Sequence, residues 1–290
     1  MRPVALLSAA ACVALAGAQI RVRDVVYLKQ GGCAFTLDVF RPAKPNHVAI
    51  AWIVSSGWAS NHEAINEGVA QTFNAKGYTM IQVVHGTQPK YSIREIVPQV
   101  RRAIRFIRAH AAAYDVSPDA IGVIGASAGG HLSLEIGGLG DDGNPTSSDP
   151  VERTSSRANA VVAYMPPTDF SNWGAAGKLP YDVPALAVLL PAFGVSATTP
   201  LTERKAIAKE LSPIELVKPG FPPTLLIHGD ADTLVPVQQS RSLDAAFANA
   251  HVEHKYVEIR ESGHDWVTYT KGLPSVFDWF EKQLFPKVRK

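Results

Sequence analysis

The stretch Ala120-Ile-Gly-Val-Ile-Gly-Ala-Ser-Ala-Gly-Gly-His131 decides how the rest of the chain is read. Its first half is apolar, with Val123 and Ile124, and follows the Pro118-Asp119 turn. That pattern predicts a short buried strand. Gly125-Ala126-Ser127-Ala128-Gly129 is a G-x-S-x-G pattern, and Leu132, Leu134 and Ile136 beyond it predict an apolar helix. Strand, sharp turn and helix are the context of a nucleophile elbow. The glycines let strand and helix approach without side-chain clashes, and the turn lifts the Ser127 hydroxyl clear of a sheet. The Ala128 N–H then stands at a helix start, where it can bind an oxyanion. A dinucleotide fingerprint fits worse, because it needs Gly where Ser127 stands.

The chain around this stretch is 290 residues long, 46% hydrophobic and 19% charged, with a net charge of +2. This is a globular composition with material for one large α/β domain or two small ones. The charge is too small and dispersed to suggest nucleic acid or an anionic membrane surface as a partner. At the start, Arg2 precedes an apolar run from Val4 to Leu15, and Ala16-Gly-Ala18 has the small-x-small form of a cleavage site before Gln19. Residues 1–18 therefore read as a secretory signal peptide, leaving 19–290 as the mature domain in a secreted or periplasmic location. Of the two cysteines, Cys12 and Cys33, only Cys33 would remain, so no intramolecular disulfide is expected.

Strand-like segments recur along the chain. Val25–Leu28 and Phe35–Arg41 flank Gly31-Gly32 as a hairpin; His47–Val54, Tyr78–Val84, Ala158–Met165, Pro223–His228 and Val252–Ile259 follow. Helical spacing is expected from Asn61 to about Lys76, over Ile93–Tyr114 with a regular part from near Ile96 because of Pro98, and over Val237–Asn249 and Leu273–Phe285. Such alternation predicts a mostly parallel sheet covered by helices on both faces, with a ligand crevice at the carboxyl ends of the strands. The exception is about 166–217, where Pro180, Pro184, Pro191, Pro200 and Pro213 interrupt an apolar patch at Ala185–Leu190. It reads as a cap-like insertion on one domain.

A serine hydroxyl becomes a nucleophile when an oriented base takes its proton. Candidates lie in two later strand-end loops, His228-Gly-Asp-Ala-Asp232-Thr-Leu-Val-Pro236 and Gly263-His264-Asp265-Trp266. The order is Ser, Asp, His. Spacing alone leaves Asp230 and Asp232 both open, with Asp265 as an outsider. His131 reads as structural and His228 as a hydrogen-bonded core histidine. His251 and His254 have opposite strand parity and make a poor metal pair. No zinc or calcium motif is present, so neither metal nor cofactor is expected.

Elbow, H-G-x-x-D-x-x-V-P segment and G-H loop together resemble the α/β-hydrolase superfamily. Ser127-Ala-Gly-Gly-His131 and Met165-Pro-Pro-Thr-Asp-Phe170 narrow the resemblance to the acetyl esterase/lipase group, including feruloyl- and acetylxylan-esterase-like enzymes. It spans about Val25 to Phe285. The resemblance implies an α/β-hydrolase fold and a serine carboxylesterase acting on short-acyl or aryl esters, small or carried on plant carbohydrate. It implies Ser127 as nucleophile, His264 as base and Asp232 as its orienting acid. It also implies an oxyanion hole from the Ala128 N–H and a loop after the third strand. That loop usually reads H-G-G; here it is Ser55-Ser56-Gly57-Trp58, leaving Gly57 and Trp58 as donors. Trp266 is a candidate for contact with substrate. A prolyl-oligopeptidase-like peptidase and a catalytically silent hydrolase-fold binding protein are the rival readings.

Overall fold

The computed structural model describes residues 20–288, so the expected signal segment and Cys12 lie outside the described residues. The strands are β1 (Ile20–Gln30), β2 (Cys33–Arg41), β3 (Ala49–Val54), β4 (Thr79–Val84), β5 (Ile121–Ala126), β6 (Ala160–Tyr164), β7 (Thr224–Gly229) and β8 (His254–Ile259). They form one sheet in the order β1-β2-β4-β3-β5-β6-β7-β8. β1/β2 and β2/β4 are antiparallel and every other pairing is parallel. This is the sheet of an α/β-hydrolase. β1 pairs irregularly with β2, with register shifts between Val22 and Val25 and between Val26 and Leu28.

The near-continuous apolar strands serve two cores at once. Alternate residues of β3 and β5 (Ala49, Ala51, Ile53; Ile121, Val123) join one core, and the intervening Ile50 and Ile124 join the other. On the first face lie α2 (Ile93–Ala109), α3 (Ala128–Leu139) and α5 (Gln238–Asn249); on the second lie α1 (Glu67–Asn74) and α6 (Trp266–Val288). Period-2 alternation with both faces covered is what a parallel sheet requires. Among the described residues, no helix is long and apolar enough to cross a membrane.

Polar caps set the helix starts: α1 and α6 begin away from the expected positions, and α2 begins at Ile93 as expected but is regular from there rather than from near Ile96. Asn61 caps only a single 3₁₀ turn, His62–Ala64, and α1 starts after Asn66, whose side chain accepts from the Val69 N–H. α2 begins at Ile93, since the Glu95 carboxylate accepts from both the N–H and the hydroxyl of Ser92, at 2.8 Å each. Pro98 therefore sits in the second turn and leaves the exposed Arg94 carbonyl without its helical donor. α6 starts at Trp266 rather than Leu273, because Asp265 accepts from the N–H groups of Val267 (2.9 Å) and Thr268 (3.1 Å). His251 lies in a turn, with φ of 54°, and β8 begins only at His254, so the two histidines share no strand and the parity argument between them does not apply.

Residues 166–217 carry 3₁₀ stretches at Pro180–Asp182, Pro184–Phe193 and Pro213–Leu216, and α4 (Leu201–Glu210). Phe170, Trp173, Leu186 and Phe193 join the first core directly. The P-P-T-D-F loop at its start is held by buried Gln239 of α5. That amide accepts from the Thr168 and Asp169 N–H groups (2.9 and 2.7 Å) and donates to the Asp169 and Asn172 carbonyls. The polar loop after α3 is tied down by ion pairs: Asp141 pairs with Arg101 and Arg105, and Glu152 with Arg102.

Candidate active site

Ser127 joins β5 to α3 with φ of 55° and ψ of −123°, a region that non-glycine residues avoid. Its N–H donates to the Tyr164 carbonyl on β6 (2.8 Å) and its own carbonyl accepts from His131 N–H (3.0 Å). The surrounding glycines are needed sterically. A Cβ on Gly125 would stand 2.3 Å from the Gly129 carbonyl, and one on Gly129 would stand 2.5 Å from the Ile53 carbonyl of β3. Ala128 is the first residue of α3, so its N–H has no acceptor within the helix.

After β3 the chain makes a two-residue turn. Ser56 and Ala59 exchange both backbone hydrogen bonds at 2.9 Å, and Gly57 and Trp58 between them have φ of 54° and 58°. Positive φ at both central positions is the type I′ geometry. Neither the Gly57 nor the Trp58 N–H has a hydrogen-bond partner among the described residues. The Ser55 hydroxyl, at the foot of this turn, is also buried without a partner.

The Asp232 carboxylate is the one that meets His264. His264 Nδ1 donates to Asp232 Oδ2 at 2.7 Å, while Oδ1 accepts from the N–H groups of Leu234 and Val235 at 2.9 Å each. Because a carboxylate only accepts, the His264 proton sits on Nδ1 and Nε2 keeps its lone pair. Burial opposes the Asp232 charge, but the hydrogen bonds from His228, His264 and the Val235 N–H hold the carboxyl well below the usual carboxylate range. His228 is fully buried; its Nε2 lies 3.0 Å from the Val235 carbonyl and 3.3 Å from Asp232, and its Nδ1 lies 2.7 Å from the Ser240 hydroxyl. Asp230 is an exposed turn residue that accepts from the Glu261 N–H, and Asp265 caps α6.

Ser127, His264, Gly57, Trp58 and Ala128 all line one cavity of about 310 Å³. Its remaining walls are apolar: Phe170, Trp173, Leu186, Leu189 and Phe193 from the insertion, and Leu234 and Val235 from the Asp232 loop. Among the described residues, Ser56, Ser127 and His264 are the polar side chains that reach it, and no carboxylate or ammonium does. Trp266 is placed differently. It is 56% exposed on the first turn of α6, its ring packs on Tyr269 with centroids 4.5 Å apart, and it is not among the cavity-lining residues. The Ala185–Leu190 patch supplies Leu186 and Leu189 and the M-P-P-T-D-F motif supplies Phe170, whereas no sequence pattern marks Trp173 or Phe193 as walls. Among the described residues, no group of three or more His, Cys, Asp or Glu side chains is arranged to hold a metal ion.

The chain is 27% identical over 234 residues to Esterase LipC of Mycobacterium tuberculosis, covering 79% of this chain and 56% of LipC. The chain thus matches little more than half the length of that curated relative. A truncated carbohydrate esterase from gut microbiota superposes with a TM-score of 0.78 at 26% identity, covering 92% of this chain and 97% of that one. An acetyl ester-xyloside bifunctional hydrolase from Caldicellulosiruptor lactoaceticus shares the fold, with a TM-score of 0.70 at 23% identity over 91% and 93% of the two chains. The BD-FAE family profile matches residues 37–247, which take in β3, the elbow, the insertion and the Asp232 loop, and the chain belongs to the BD-FAE family.

Proposed function

We propose that this protein is a secreted or periplasmic serine carboxylesterase that hydrolyses short-acyl or aryl esters, with esters borne on plant carbohydrate as the natural class. The observation that carries the reading is the convergence on one apolar cavity of Ser127, an Nδ1-protonated His264 backed by Asp232, and unpartnered backbone N–H groups. In the first step His264 Nε2 takes the Ser127 proton as Oγ attacks the ester carbonyl, and Asp232 stabilises the imidazolium that forms. The oxyanion is met by the Ala128 N–H and by those of Gly57 and Trp58. His264 then protonates the leaving alcohol, activates a water, and returns the proton to Ser127 as the acyl group departs. The apolar walls suit an uncharged acyl or aryl portion, and the relatives named for carbohydrate and acetyl esters favour a sugar alcohol as the leaving group.

A fluorophosphonate probe tests this directly. Wild-type protein should label and hydrolyse 4-nitrophenyl acetate or butyrate. Ser127→Ala should lose all labelling and several orders of magnitude in kcat while melting as wild type does. A folded Ser127→Ala variant with near wild-type turnover overturns the reading. A panel of acyl lengths with acetylated xylan and feruloyl esters ranks the substrates. Mass spectrometry of exported protein should find a mature start at Gln19.

A further inference from the structure

His131 follows the nucleophile elbow by one helical turn and is fully buried. Its Nδ1 lies 3.2 Å from Trp58 Nε1, and its Nε2 lies 2.9 Å from the Leu211 carbonyl at the end of α4. An indole N–H can only donate and a carbonyl can only accept. These two partners therefore fix His131 as the neutral tautomer with its proton on Nε2. The Glu135 carboxyl, 3.6 Å from Nε2, is also buried, and its Oε1 has no hydrogen-bond partner. That site suits a protonated carboxyl, since a carboxylate there would leave a buried charge unsolvated. The indole of Trp58 is gripped on its other sides by Phe170 and Phe193, with ring centroids 5.8 and 5.4 Å away.

Trp58 is half of the strained turn that carries the unpartnered N–H groups. A type I′ turn with a bulky residue at positive φ holds its shape only where its surroundings fix it. The buried hydrogen bond from the indole to His131 ties the turn to the same helix that presents Ser127. We propose that His131 is the positioning residue of the oxyanion turn: through Trp58 it holds the Gly57 and Trp58 N–H groups in register with Ser127. Its second bond ties that turn to the insertion at Leu211. This inference rests on the acyl-transfer reading above and assigns the turn's alignment to one side chain, 73 residues distant in sequence.

His131→Leu and Trp58→Phe each remove the bond while keeping apolar bulk. Each should lower kcat by about 10–100-fold with KM within about twofold, because the oxyanion contacts act in the transition state. The double variant should lose no more than the worse single one. His131→Asn, whose side-chain carbonyl can accept in place of Nδ1, should recover part of kcat, and it carries the test if His131→Leu does not fold. The ¹⁵N-indole resonance of Trp58 should be protected from hydrogen exchange in wild type and His131→Asn but exposed in His131→Leu. A folded His131→Leu variant with kcat within twofold of wild type, losses that multiply in the double variant, or unchanged indole protection each overturn the proposal. If wild type hydrolyses no ester at all, the esterase reading fails instead, and the indole protection alone decides whether His131 holds Trp58.

Discussion

Replacing Asp232 with Asn exchanges one carboxylate oxygen for an NH₂ group and should nearly silence the site. The structure dictates how the new amide sits. Asp232 Oδ1 accepts two backbone N–H groups, from Leu234 and Val235, and Oδ2 accepts from His264. If the amide turned its NH₂ toward Leu234 and Val235, two buried donors would face donors, at a cost of about 1–3 kcal/mol for each unmet group. The amide therefore keeps its oxygen there and presents NH₂ to His264. Nδ1 must then accept, which moves the imidazole proton to Nε2 and blocks removal of the Ser127 proton. The imidazolium also loses its counter-charge. In a serine protease the corresponding change costs about 10⁴ in kcat, equivalent to about 5 kcal/mol of transition-state stabilisation. We expect a loss of that order for Asp232→Asn, measured as kcat on 4-nitrophenyl butyrate near pH 8. Because both backbone hydrogen bonds survive, the melting temperature should move by only a few degrees. Asp230→Asn, which retains its bond from the Glu261 N–H, should keep kcat within about threefold. Asp232→Asn with kcat within tenfold of wild type, or a larger loss from Asp230→Asn, would refute this assignment of the acid.

Other expectations follow from the same coordinates. Asp265→Ala removes the cap of α6 and should destabilise the fold by about 1 kcal/mol in urea titration, with kcat little changed. Gly129→Ala places a methyl 2.5 Å from the Ile53 carbonyl, so the elbow and β3 must separate; both fluorophosphonate labelling and melting temperature should fall. Burial pushes the Glu135 carboxyl up to about 8 from 4.5, with the charge of Glu210 adding to the effect. The folded chain thus holds a proton across that window that the unfolded chain has released, and stability declines as pH rises through it. Glu135→Gln should remove this decline, raising the melting temperature at pH 8.5 relative to wild type more than at pH 5. On the acid side, burial pushes His131 and His85 down to about 4 from 6.5, so the unfolded chain takes up protons first. Thermal scans should show stability falling as pH drops from 6.5 toward 4.

The sheet was legible because its central strands are buried on both faces, and a run such as Ala49–Val54 has no other stable home. The elbow was legible because its glycines and serine are contiguous. Helix starts were less so. Asn61 and Asn66 are chemically identical caps five residues apart, and only the packing of Val69, Ala70 and Phe73 selects the second. The true start of α6 at Trp266, seven residues before Leu273, depends on the exposed Asp265 turning its carboxylate back onto the Val267 and Thr268 N–H groups. Spacing alone left Asp230 and Asp232 equivalent. What separates them is that the turn directs one carboxylate toward the Glu261 N–H and the other toward His264. The bond between Trp58 and His131 joins distant loops, and no local pattern announces it. His228 read correctly as a hydrogen-bonded core histidine, but its approach to Asp232 emerges only when the loop closes on itself.

The irregular pairing of β1 bears on how this molecule behaves when crowded. β1 is an outer strand of the sheet and leaves Ile20, Val22 and Val26 exposed, which is the kind of apolar margin onto which a foreign strand can add. Between Val22 and Val25 the register slips, and Asp24 there adopts φ of 54° with its N–H turned back to the Asp38 carboxylate at 3.0 Å. The kink interrupts the row of free donors and acceptors that a second chain would need for continuous pairing. Arg21 and Arg23 are drawn into ion pairs with Asp38 and Glu67, and Lys29 adds a charge that a second strand aligned beside it would have to accommodate. At the other margin, β8 carries Lys255 and the Arg241–Glu258 ion pair. Both ends of an eight-stranded template are thus made poor seeds for edge-to-edge aggregation.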